Sequence, residues 1–165
     1  MSRFKLYQLA ILTISALVVL PACDDDVSAP DSPVPYDVTL AQLASAPETL
    51  DLPSQDYHLE TDLWRDFMPI SPPDGKPLIA VVRLVSDAPI PDDVKLVYLW
   101  VVSDGRVWAT KFAEEPVVSG NTTEGVARGG PKWGPDIAVD VVVGVKIGND
   151  FRLVRAAKQP ITATF

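Results

Sequence analysis

One imidazole, one thiol and a short run of alternating carboxylates bound the chemistry open to this chain. A nucleophilic triad would have to run through His58, the only histidine, because such a triad needs an imidazole as its base. His58 falls where Tyr57, Leu59, Thr61 and Leu63 alternate with His58, Glu60, Asp62 and Trp64, which is how a strand with one solvated face is written. No Gly-x-Ser-x-Gly turn is present to sharpen a serine. Glu60 and Asp62 share that face and Asp66 follows. Carboxylates held several ångströms apart can hydrolyse a glycosidic bond, but Arg65 lies between Asp62 and Asp66, and surface ion pairing is their plainer use. Zinc held by Cys and His is excluded by counting, since one of each cannot supply four ligands. Asp24-Asp25-Asp26 and Asp92-Asp93 offer oxygen to calcium, yet no spacing matches a twelve-residue calcium loop. The expectation is no metal site, no cofactor and no catalytic residue.

A second stretch with chemistry in it runs from Glu114 to Pro135 and is rich in Gly and Pro. Loops of that length in compact domains are commonly functional or disordered, although Val117, Val118 and Val126 could form a short strand inside it. Within Arg128-Gly129-Gly130-Pro131-Lys132-Trp133-Gly134-Pro135, the residues Arg128, Lys132 and Trp133 form a candidate binding loop. Two cations and an indole suit stacking on a sugar or gripping a protein partner. The competing reading folds the indole back over a sheet edge. No helix start or Lys-Ser/Thr pair follows the glycines, so a phosphate cradle is not expected. From Cys23 onward the chain carries 12 Lys and Arg against 22 Asp and Glu. That balance of −10 opposes phosphate backbones, and nucleic acid is not expected as a partner.

The elements that must position these residues read as strands. Leu78–Val85 is a near-continuous, β-branched apolar run between prolines and reads as a central strand. Val94–Val102 and Arg106–Phe112 flank Ser103-Asp104-Gly105, and Ile137–Ile147 and Phe151–Ala156 flank Gly148-Asn149-Asp150; both connections suit tight hairpins. Gly144 inside a strand marks a bulge, and Ile161–Phe165 adds a terminal edge strand. The expected fold is all-β: an antiparallel, two-layer, immunoglobulin-like sandwich of about seven or eight strands over residues 48–165, with a small closed barrel as its rival. The chain has no Cys pair to bridge the layers, so packing alone must hold them.

Ahead of that domain the composition changes twice. Residues 23–47 are acidic and Pro-rich, and there is no Lys or Arg from Asp24 through Glu60. This reads as a disordered, self-repelling stalk, although Val38–Ala46 could form one short helical turn stopped by Pro47. Residues 1–22 hold Arg3, Lys5 and the uncharged run Leu9–Leu20, which is a signal-peptide pattern. Pro21 and the aspartates after it end the run well short of the roughly 20 residues of a membrane span.

Leu20-Pro21-Ala22-Cys23 resembles the lipobox of bacterial lipoproteins, with the cysteine, a small residue before it and Leu three positions upstream. The resemblance implies cleavage before Cys23, diacylglycerol on its sulfur and a fatty acyl chain such as palmitate on its new amine. Each buried methylene contributes about 0.8 kcal/mol, so several chains anchor firmly where one is marginal. It also implies that Asp24, Asp25 and Asp26 act in sorting. In proteobacterial lipoproteins an Asp there favours the inner membrane, and in Bacteroidota an acidic run accompanies export to the cell surface. The destination is therefore the bacterial envelope, on the periplasmic face of the inner or outer membrane or at the cell surface. Leu63–Pro69, the Ser71–Gly75 turn and Val139–Val143 together resemble a family of small secreted bacterial proteins, and that likeness carries no functional residue. The expected role is a non-catalytic binding or structural accessory, held to the membrane through Cys23 and engaging an envelope protein or glycan. The alternatives are a carbohydrate-binding module using Trp133, Trp64 or Trp108, and a small hydrolase.

Overall fold

The computed structural model describes residues 38–52 and 55–165. The expected signal peptide, Cys23 and Asp24 to Asp26 lie outside them. The elements are a short helix α1 (Leu40–Ser45) and nine strands: β1 (Thr49–Asp51), β2 (Asp56–Asp66), β3 (Leu78–Ser86), β4 (Val94–Ser103), β5 (Arg106–Lys111), β6 (Val117–Ser119), β7 (Thr122–Gly130), β8 (Ala138–Ile147) and β9 (Asp150–Thr164).

Both hairpins form where the turn residues placed them. Ser103 pairs with Arg106 across Asp104 (φ 48°) and Gly105 (φ 79°), two consecutive left-handed residues whose twist matches that of the flanking strands. Ile147 pairs with Asp150 across Gly148-Asn149.

The strands make one mixed sheet in the order β5-β4-β8-β9-β2-β3-β7-β6, with β1 beside the start of β2. Every pairing is antiparallel except one: Leu63–Asp66 of β2 runs parallel to Ile161–Thr164 of β9. The expected terminal edge strand is thus corrected, because Ile161 to Thr164 continue β9 into the middle of the sheet. The cause is an extra residue in β9 between the Ala156–Val141 and Gln159–Val139 pairs, where Lys158 turns left-handed (φ 55°). Asp140 Oδ1 accepts the Lys158 N–H at 2.9 Å. This bulge, followed by Pro160, carries β9 off β8 and onto β2. Gly144, expected to mark a bulge, does sit at one, where the β4–β8 register shifts. The extra residue opposite it is Val97 of β4, and Gly144 leaves room for the Phe151 ring, which a Cβ would meet at 2.6 Å.

The sheet curls around a core built from Leu59, Leu63, Leu84, Leu99, Val141, Val143 and their neighbours. The curl closes where β5 reaches β7. The Trp108 ring lies on Gly130 and the Phe112 ring on Gly125, and the Ala113 N–H donates to the Val126 carbonyl at 2.7 Å. A Cβ at Gly125 would stand 2.6 Å from Phe112. Gly125 and Gly130 of the supposed long loop are therefore close-approach positions within a strand, and β6 and β7 occupy most of Glu114 to Pro135.

Residues 38–47, assigned to the stalk on composition, pack against the domain instead. Thr39 caps α1 by accepting the Gln42 N–H at 3.3 Å, while the Gln42 side chain accepts the Thr39 N–H at 2.9 Å. Leu43 and Ala46 are buried against Tyr98, Trp100 and Val142 on the outer face of β4 and β8. Arg155 secures the exit by donating Nη1 to the Ala44 carbonyl at 2.8 Å and its backbone N–H to the Pro47 carbonyl at 2.8 Å.

Candidate functional site

Three polar regions contain the residues singled out from the sequence. The first is the outer face of β2, β3 and β7. Alternation along β2 points His58, Glu60 and Asp62 to solvent and Tyr57, Leu59 and Leu63 inward. Arg83 of β3 pairs in register with Glu60 on one side and Glu124 on the other. Its guanidinium contacts Asp62 and Glu124, each at 2.7 Å, and both carboxylates raise its pKa above the ordinary arginine value. Asp66 contacts Lys76 at 2.7 Å, and hydrogen bonds from Lys76 and the Met68 N–H hold its carboxyl below the usual carboxylate range. The His58 imidazole forms no hydrogen bond among the described residues, and His58 stands opposite Val85 in the β2–β3 pairing. The structure does not gather His58, Glu60, Asp62 and Asp66 into a cleft. It spreads them along an open strand face, where neighbouring cations hold two of the carboxylates. Among the described residues no group of three or more His, Cys, Asp or Glu is placed to hold a metal ion.

The second region lies beneath residues 131–137. Arg65 is on the inward-facing side of β2 and is 3% exposed. It donates Nε to the Lys76 carbonyl at 3.0 Å and Nη1 to the carbonyls of Lys132 and Gly134 at 3.0 and 2.9 Å. Nη2 donates to the Asp74 carbonyl, and the guanidinium lies 5.0 Å from the Phe67 ring centroid. Burial lowers its pKa and the nearby Asp74 carboxylate opposes that shift. Five donors in a planar fork let one side chain tie two loops to the strand end. The sequence pattern suggests a surface ion pair of Arg65 with Asp62 or Asp66, whereas the side chain is buried. Its shared parity with Leu59 and Leu63 was the signal for an inward position.

The candidate binding loop sits over this clasp. Lys132 pairs with Asp74, whose carboxyl is held below the usual range mainly by that hydrogen bond. Trp133 is half-buried against the core and carries the Arg106 guanidinium 4.8 Å from its ring centroid, a cation–π contact supplied by the chain itself. Arg128 stands apart, exposed near the end of β7 beside the left-handed Gly129.

The third region is a shallow cavity of about 250 Å³ at the parallel junction of β2 and β9. Trp64, Asp62, Thr61, Pro160 and Thr162 line it. Thr61 donates its hydroxyl to Gln159 at 2.7 Å and Thr162 to the Leu63 carbonyl at 3.1 Å, which fixes the rim. Of the other tryptophans, Trp100 and Trp108 are buried.

No protein-family profile, curated protein or solved structure matches this chain.

Proposed function

We propose that this is a lipid-anchored protein of the bacterial envelope, acting as a non-catalytic binding or structural accessory. The observation that carries the proposal is Cys23: the only thiol in the chain stands directly after a charge-free apolar run and directly before three aspartates. The rest of the reading draws support from the fold. Arg83, Lys76 and Lys132 already hold Asp62, Glu124, Asp66 and Asp74, so these charges serve cohesion. We read the curled sheet as an immunoglobulin-like sandwich, with β5-β4-β8 as one layer, β2-β3-β7-β6 as the other and β9 crossing between them. Such a body, held near a membrane, offers strand edges and loops to a neighbour.

The test is metabolic labelling with palmitate in the native host. The wild-type chain takes up label and fractionates with membranes, while Cys23→Ser does neither. Label retained by Cys23→Ser would overturn the anchor.

A second reading, a carbohydrate-binding module, is favoured by one observation: Trp64 lines an open cavity beside a carboxylate and threonines. Indole faces stack on sugar rings. Soluble envelope glycans should then change the tryptophan emission of the wild type and leave Trp64→Ala unchanged.

A further inference from the structure

The curl of the sheet closes only along part of its seam. β5 covers β4 from Tyr98 to Ser103, so among the described residues Val94 to Leu96 have a strand partner on the β8 side alone. Among the described residues β6 pairs only with β7, which leaves its outer edge free. Below the Phe112 and Trp108 contacts these two free edges flank a groove of about 320 Å³. Leu96 forms one wall, and Pro116 and Val118 form the other.

Three independent observations distinguish this groove. Thr123 lines it, is 2% exposed, and its hydroxyl has no hydrogen-bond partner among the described residues. A buried hydroxyl left unpaired is destabilising, so it is a standing demand for a polar atom. Val117 and Val118 are 67% and 46% exposed on the uncovered strand. At the rim, Asp92, Lys95 and Glu115 form no ion pair among the described residues, whereas Asp62 and Glu124 on the open sheet face and Asp66 and Asp74 by the Arg65 clasp are paired. Two carboxylates against one ammonium leave the rim acidic.

We propose that this groove binds an extended peptide segment, which adds a strand to the free edge of β6. Main-chain hydrogen bonds along an exposed edge give affinity, and alternate side chains give specificity. Side chains of the incoming strand alternate at about 3.3 Å per residue. Inward positions then take an aliphatic residue against Leu96, Pro116 and Val118, and a long polar side chain such as Gln, which can reach over Val118 to the Thr123 hydroxyl on β7. Outward positions take Lys or Arg to meet Asp92 and Glu115. The inference rests on the binding-module reading above and gives it a surface and a partner chemistry.

The probe is a terminally blocked Lys-Val-Lys-Gln-Lys peptide added to isotope-labelled full-length chain in detergent micelles, read by amide chemical shifts. Saturable shifts confined to Lys95–Val97, Val117–Ser119 and Thr123 are expected. Thr123→Val keeps the shape of the site while removing its hydroxyl, and should weaken binding about tenfold without loss of thermal stability. The same peptide with Glu for Lys should bind more weakly still. Shifts absent at millimolar peptide, shifts indifferent to peptide charge, or shifts that rise with protein concentration alone, showing a second copy on β6, would each overturn the proposal. Palmitate uptake at Cys23 is a separate readout: labelled protein that ignores the peptide sinks this inference alone, and peptide binding by unlabelled protein sinks the anchor alone.

Discussion

The two halves of the curled sheet solve the same problem differently. Around β4 and β8 both faces are buried, the inner one in the core and the outer one beneath Leu43 of α1 and its C-cap residue Ala46. Around β2, β3 and β7 only the inner face is buried, and the outer face is finished with Arg83, Asp62 and Glu124. The sequences follow from this. Val94–Val102 and Val139–Val145 read as nearly unbroken apolar runs because a strand covered on both sides has no solvated face to alternate with. Tyr57 to Leu63 alternate because theirs does. What hides the outer surface of the first half is six residues of helix, so a small element carries a disproportionate share of its cohesion.

Removing the anchor of that helix should therefore produce the largest loss. Leu43→Ala deletes a fully buried side chain and leaves a cavity, at a cost of about 2–5 kcal/mol in urea denaturation. Trp100 emission should shift to the red as water reaches the outer face. Val85→Ala, on the outer face of the open half and partly exposed already, should cost about 1 kcal/mol or less. Equal losses at the two positions would show that α1 adds nothing beyond a surface contact.

The seam between the halves ranks next. Gly125 belongs to the open half and accepts the Phe112 ring from the connection that follows β5. Gly125→Ala puts a methyl group 2.6 Å from that ring, and the overpacking should cost about 1–3 kcal/mol. The double variant Gly125→Ala with Phe112→Leu should recover part of the loss in the same titration. No recovery would mean that the glycine is needed for some reason other than the ring.

Most strands and both hairpins were legible because period-two patterning and Asp-Gly or Gly-Asn pairs are local signals. The misreadings have a common cause, which is that a side chain's partner lay far along the chain. Gly125 and Gly130 looked like loop glycines because the rings that need them, Phe112 and Trp108, sit on another strand. Leu43 looked like a residue of a stalk because its partners Tyr98, Trp100 and Val142 lie more than fifty residues away. Arg65 is the clearest case at the candidate site. Nothing in its neighbourhood announces that the carbonyls of Lys132 and Gly134 will come to it. The groove beside β6 was not legible at all, since it exists only where two strand edges fail to meet.

The cap of α1 is a smaller test of the covered half. Thr39→Ala removes the hydroxyl that accepts the Gln42 N–H and should cost about 1 kcal/mol. Thr39→Ser keeps the acceptor and should keep most of the stability. A full loss with serine would assign the effect to the threonine methyl rather than to the cap.

Acid should separate the halves without any substitution. Asp66 and Asp74 have carboxyl groups held below their ordinary value of 3.8, by Lys76 with the Met68 N–H and by Lys132 respectively. A group depressed in the folded state stabilises fully above its unfolded value and loses that contribution as pH falls through its folded value. Both groups hold the loops that Arg65 clasps at the end of the open half. Docking of α1 relies on Leu43 and Ala46, whose burial has no comparable dependence on protons. Amide spectra recorded from about pH 5 down to 2 should therefore show residues 72–76 and 131–136 shifting before residues 40–46. Asp74 is well exposed to solvent and Asp66 partly so, and added salt should shrink the difference. If the helix signals moved first, the covered half would be the one held by charge, and the contrast between the two halves would be reversed.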